Sequence, residues 1–80
     1  MKVISKKIVQ EDHILEFGIS TWDSDSYSIR NRYNFANGRF NRASSQEIPV
    51  EVLEDLVRFS VDEGALSAEF LKSLIKYQKV

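Results

Sequence analysis

Residues 26–46, SYSIRNRYNFANGRFNRASSQ, hold two runs of alternating apolar and polar residues on either side of the pair Asn37-Gly38. Asn-Gly is the preferred occupant of a two-residue type I′ turn, since both central positions need positive φ and these residues reach it at least cost. A hairpin follows. In its register Ala36 pairs with Arg39, Phe35 faces Phe40, Asn34 faces Asn41, Tyr33 faces Arg42 and Arg32 faces Ala43. Because strand side chains alternate, Tyr27, Ile29, Tyr33, Phe35 and Phe40 are expected on one face, with Arg30, Arg32, Asn34, Arg39 and Asn41 on the other. The aromatic face is expected to look inward and the arginine face outward. Arg42 falls on the aromatic side, at the sheet edge beside Tyr33, unless a bulge near the turn moves it.

Working outward toward the N-terminus, Asp23-Ser24-Asp25-Ser26 reads as a loop, since aspartate and serine bond their own backbone in turns. Before it, residues 14–22 alternate with Leu15, Phe17 and Ile19 on one side and Glu16, Gly18 and Ser20 on the other, the pattern of a strand with its apolar side inward. Gly18 marks a bulge or a close backbone approach. Residues 3–9 are β-branched enough for a first strand, joined to the second through the polar turn Gln10-Glu11-Asp12-His13.

Toward the C-terminus, residues 43–47 read as a polar linker into Ile48-Pro49, and proline suits the first turn of a helix, where its missing N–H is not needed. At 100° per residue Val52, Leu53, Leu56, Val57, Phe59 and Val61 fill one arc of that helix, opposite Glu51, Glu54, Asp55, Arg58 and Asp62. Gly64 is placed to end it and Ser67 to cap a second helix, whose apolar stripe is Phe70, Leu71, Leu74 and Ile75 and whose last turn carries Lys76 and Lys79. The fold class is α+β. A four-stranded antiparallel β-meander (residues 3–9, 14–22, 27–36 and 39–44) is expected, followed by two C-terminal amphipathic helices (49–63 and 67–78) packed on one face of the sheet, all in one domain over residues 1–80.

Eighty residues bury only about 60 to 65% of the unfolded surface, so nearly every element must contribute to the core. The chain has no cysteine, which excludes disulfides, thiol catalysis and cysteine-ligated zinc. Lys6 and Lys7 interrupt the apolar N-terminal residues before a signal-peptide core can form, and no apolar run approaches membrane-spanning length. A soluble, cytoplasmic protein is the expectation, with no membrane partner.

The formal charge of −1 argues against adhesion to nucleic acid through bulk charge. Its distribution is uneven. Residues 26–46 carry Arg30, Arg32, Arg39 and Arg42 without an acid, whereas residues 47–69 carry seven acids against Arg58 alone.

Catalysis is poorly supplied. His13 is the only histidine and reads as a solvated turn residue beside Glu11 and Asp12. The Asp23-x-Asp25 pair lacks the further oxygens, glycine and terminal glutamate of a calcium loop. Glu54-Asp55 and Asp62-Glu63 lie on the polar arc of a helix, and Gly18, Gly38 and Gly64 are too scattered for a phosphate loop. The two helices make a weak helix-turn-helix, because the first is acidic and the second offers only Lys72, Lys76 and Lys79. No enzyme, cofactor or metal is expected.

The candidate binding residues are therefore Arg30, Arg32, Asn34, Arg39, Asn41 and Arg42, since arginine grips carboxylate and phosphate in a bidentate manner that lysine does not. Glu51, Glu54, Asp55 and Asp62 form a second, acidic face. The leading expectation is a small non-enzymatic adaptor, inhibitor or regulatory protein that acts through protein-protein contacts or self-association. The alternative is a nucleic-acid-binding protein, single strands among its candidate ligands, that uses the arginine-rich hairpin face.

Overall fold

A computed structural model describes residues 1–77. Strands β1 (Lys2–Gln10), β2 (His13–Ile19), β3 (Tyr27–Tyr33) and β4 (Gln46–Pro49) form one antiparallel sheet in the order β1-β2-β3-β4. Helices α1 (Val50–Asp62) and α2 (Ala68–Leu74) follow, and a 3₁₀ turn at Ile75–Tyr77 continues α2. The class is α+β, as expected. The expected end of the second helix at Gln78, with Lys79 beyond it, lies outside the described residues.

The first hairpin forms where the polar turn was read, with Gln10 opposite His13. β1 carries two irregularities, one between Val3 and Ser5 and one between Ile8 and Gln10. Gly18 sits opposite the first. A Cβ at that position would lie 2.0 Å from the Lys2 carbonyl oxygen, so only glycine allows the two backbones this approach. β2 stops at Ile19, earlier than residue 22, because the loop starts sooner: the Ser20 N–H donates to the Ser26 carbonyl, and the Asp25 N–H to Asp23 Oδ1.

The Asn37-Gly38 turn forms in a different register. Gly38 has φ of 84°, but Asn37 does not take positive φ, so the turn is not type I′. The Asn37 side chain instead accepts the Arg39 N–H at 3.0 Å, the Phe35 N–H donates to the Arg39 carbonyl, and the Asn41 N–H donates to the Tyr33 carbonyl. Three residues thus span the turn, with glycine in the left-handed place that such loops require. Asn34, not Phe35, lies opposite Phe40. A one-residue shift exchanges faces, so Phe40 leaves the aromatic side and joins the arginines.

The expected strand over 39–44 is consequently absent. Only Phe40 is bridged, and the chain bends into a 3₁₀ turn at Arg42–Ser44, with Asn41 Oδ1 accepting the Ser44 N–H. The fourth strand is the segment read as a linker. Glu47 lies opposite Arg30, Ile48 opposite Ile29 and Pro49 opposite Ser28, and proline is tolerated because β4 is an edge strand.

The helices end as their residues dictate. Gly64 at φ of 68° lets its own N–H reach the Val61 carbonyl and the Ala65 N–H reach Ser60, a Schellman closure of α1. Ser67 Oγ accepts the Phe70 N–H and caps α2. Pro49 is the residue before α1, at φ of −59° and ψ of 135°, so the helix starts one position later than expected.

The layering departs most from expectation. Among the described residues no apolar side chain is buried; the buried positions with side chains are Glu16, Ser20 and Ser28. The helices do not close over the sheet, since Val52, Leu56, Val57, Phe59 and Val61 of α1 and Phe70 and Leu74 of α2 all stay exposed. β4 ends at Pro49 and α1 begins at Val50, so no connecting residues are left for a turn back over the sheet.

Candidate interaction surfaces

The ladder defines two sheet faces. One carries Glu16, Gly18, Ser28, Arg30, Arg32 and Glu47, polar along β3, with Val3, Ile8 and Ile14 toward β1 and Pro49 on β4. The other carries His13, Leu15, Phe17, Ile19, Tyr27, Ile29, Tyr33 and Ile48, flanked on the same face by Lys2, Ser5 and Lys7 of β1 and by Asn31 and Gln46.

On the polar face the expected arginine surface is largely engaged within the chain. Arg30 Nε donates to Glu16 Oε1 at 2.7 Å and Arg32 Nη1 to Glu16 Oε2 at 3.4 Å, with the carboxylate itself only 5% exposed. Arg32 Nε also donates to Asn34 Oδ1 at 2.9 Å. The Phe40 ring lies under both guanidinium groups at 4.7 Å, with Arg42 farther out at 5.9 Å. Arg42 therefore belongs to the arginine face and not beside Tyr33, which stacks on His13 with ring centroids 4.3 Å apart. Strand pairing brings Glu16 and Arg30 directly opposite each other, and the shifted turn supplies Phe40. Asn41 is half-buried and holds the 3₁₀ turn through Ser44, whereas Arg39 and Arg42 are exposed. The six candidate residues divide into a braced group, Arg30, Arg32, Asn34 and Asn41, and two free arginines.

A cleft of about 260 Å³ opens beside this group, lined by Met1, Thr21, Arg30, Phe40, Arg42, Ser45 and Glu47. Thr21 donates twice to Glu47, from its hydroxyl at 2.7 Å and its N–H at 3.0 Å. Burial alone would raise the Glu47 pKa, but these bonds and one from Ser28 outweigh it and hold the carboxyl below its ordinary value of 4.5. At the far end of the sheet His13 Nε2 meets Asn31 Oδ1 at 2.5 Å, so His13 is a strand residue with a side-chain partner and not a solvated turn residue. Among the described residues no three His, Asp or Glu side chains converge to hold a metal.

The acidic candidates Glu51, Glu54, Asp55 and Asp62 all lie exposed on α1, where Glu54 meets Arg58 at 3.7 Å in open solvent. A shallow hollow of about 430 Å³ runs along Leu53, Glu54, Val57 and Arg58.

Sequence reasoning did not mark the apolar sheet face and the apolar helix arcs as surfaces. Tyr27 is 50% exposed, Phe59 64% and Phe70 46%, while Leu15, Phe17, Ile19, Ile29 and Ile48 are half-buried and none is closed off. Phe17 stacks on Tyr27 at 5.3 Å. The periodicities that reveal these faces were legible; that they do not cover one another was not. Comparison with family models, with curated proteins and with solved structures finds no match. No helix among the described residues is long and apolar enough to cross a membrane.

Proposed function

We propose that this chain is a small non-enzymatic adaptor, inhibitor or regulatory protein that acts through protein-protein contacts. One observation carries the reading: the apolar arcs of two helices stay open to solvent, beside a sheet face on which Tyr27 and Tyr33 are exposed and the other large apolar side chains are only half-buried. Contiguous apolar surface on this scale marks a protein contact, because leaving it wet forgoes the main favourable term in association. The acidic side of α1, with Glu51, Glu54, Asp55 and Asp62, borders the apolar arc and supplies the polar rim that orients docking. The test is affinity capture with wild-type protein against Leu56→Glu and Glu54→Lys variants. Partners held by wild type should be lost from the first and weakened in the second, and identical partner sets would overturn the reading.

A second reading, nucleic-acid binding, is favoured by the position of Arg39 and Arg42 on an exposed loop with Phe35, itself 51% exposed. The reach of this patch is small, since Arg30 and Arg32 already serve Glu16. Two phosphate contacts would give a log–log salt slope of only about −1.4 for single strands or −1.8 for duplex. Titration of labelled RNA and DNA at low salt tests this, and no binding there eliminates it.

A further inference from the structure

We infer that the partner of the open apolar surfaces is a second copy of this chain, with α1 and α2 of each protomer lying across the apolar sheet face of the other. The inference rests on the protein-contact reading above and names its partner. Area is the first argument. The chain exposes 6644 Å², whereas a compact folded protein of its 9.3 kDa exposes about 5,000 Å². The surplus of more than about 1,000 Å² per chain is what an obligate dimer buries on each partner. The Cα radius of gyration agrees, at 14.5 Å against about 12 Å for a compact chain of this length.

Complementarity is the second. A sheet with one apolar face and helices with one apolar arc are the two halves of a helix-on-sheet layer. This chain holds both halves, with the helix arcs exposed and the sheet face only half-buried. The direct junction of β4 to α1 at Pro49 and Val50 keeps the helix from folding back over its own sheet. A two-fold axis resolves the mismatch, since it seats each helical pair on the other sheet and repeats the contact.

The test begins with the mass of the wild-type protein in solution, by sedimentation or light scattering from low to high micromolar concentration. Twice the 9.3 kDa chain mass is expected. Because the chain has no cysteine, Phe17→Cys in one preparation and Leu53→Cys, Leu56→Cys or Val57→Cys in another can be mixed and oxidised. A disulfide joining one chain of each kind is expected for at least one pairing. A dimer giving no mixed disulfide at any pairing overturns the helix-on-sheet arrangement. A monomer at all concentrations overturns the inference outright, and an apolar dye then separates the two readings. Strong dye binding by the monomer leaves the protein-contact reading standing, whereas no dye binding overturns that as well.

Discussion

The two faces of the sheet are inverted relative to their chemistry. The face with Glu16, Ser28 and Arg30 holds buried polar side chains, while on the face with Leu15, Phe17 and Ile29 the apolar side chains are only half-buried. Closure of the polar face is tolerable because no buried side-chain nitrogen or oxygen among the described residues lacks a hydrogen bond. Ser20 and Ser28 satisfy each other at 2.6 Å, and Glu16 answers two guanidinium groups. Apolar patterning shows which side gains from burial. What covers it depends on where the chain goes next.

The largest expected effect breaks the closed face. Glu16→Gln leaves two arginines facing each other without the carboxylate that holds them, and removing one partner of a buried ion pair costs about 3–5 kcal/mol. An unfolding free energy from urea titration that falls by less than a quarter of that would show the face to be wet. Next is Gly18→Ala, where the added Cβ meets the Lys2 carbonyl and must push β1 aside, at about 1–3 kcal/mol. Hydrogen exchange in β1 should rise more than in β3, and uniform exchange would contradict the local cause.

Phe17→Ser sharpens the comparison from the open side. The ring is half-buried and stacks on Tyr27, so the substitution costs about 1–2 kcal/mol in the isolated chain. If a second chain covers the face, the cost grows with protein concentration, which thermal melts at two concentrations would read.

The smallest effect is a pH dependence. Glu47 titrates below its ordinary value of 4.5 when folded, so its contribution is complete above that value and is lost as pH falls through the lower folded value. Acid melts of wild type and Glu47→Gln should therefore converge below that window and separate above it, with wild type the more stable. Parallel curves would show that Thr21 does not hold the carboxylate.

Much of the fold was legible residue by residue. Gly64 and Ser67 carry their helix signals in their own backbone chemistry, and Gly18 announced the close approach at β1. The hairpin register was not legible, because Asn37-Gly38 serves two turn types that differ by one residue, and the Asn37 side chain chose between them by accepting the Arg39 N–H. That single residue moved Phe40 beneath Arg30 and Arg32 and left a strand to form at Gln46–Pro49. Of the candidate site, the arginine composition was readable. The withdrawal of Arg30 and Arg32 was not, since Glu16 is far from them in sequence and meets them only across the ladder.

By itself the sequence determined the α+β class, both hairpin locations, both ends of α1 and the start of α2 to within a residue, and the amphipathic character of β2 and of the two helices, because these follow from local backbone preference and side-chain period. Only tertiary structure decided which sheet face is closed, which arginines remain free and that the helices stand away from the sheet. Those outcomes depend on pairings between distant residues and on the direct passage from β4 into α1 at Pro49 and Val50 without loop residues, and no local preference encodes them.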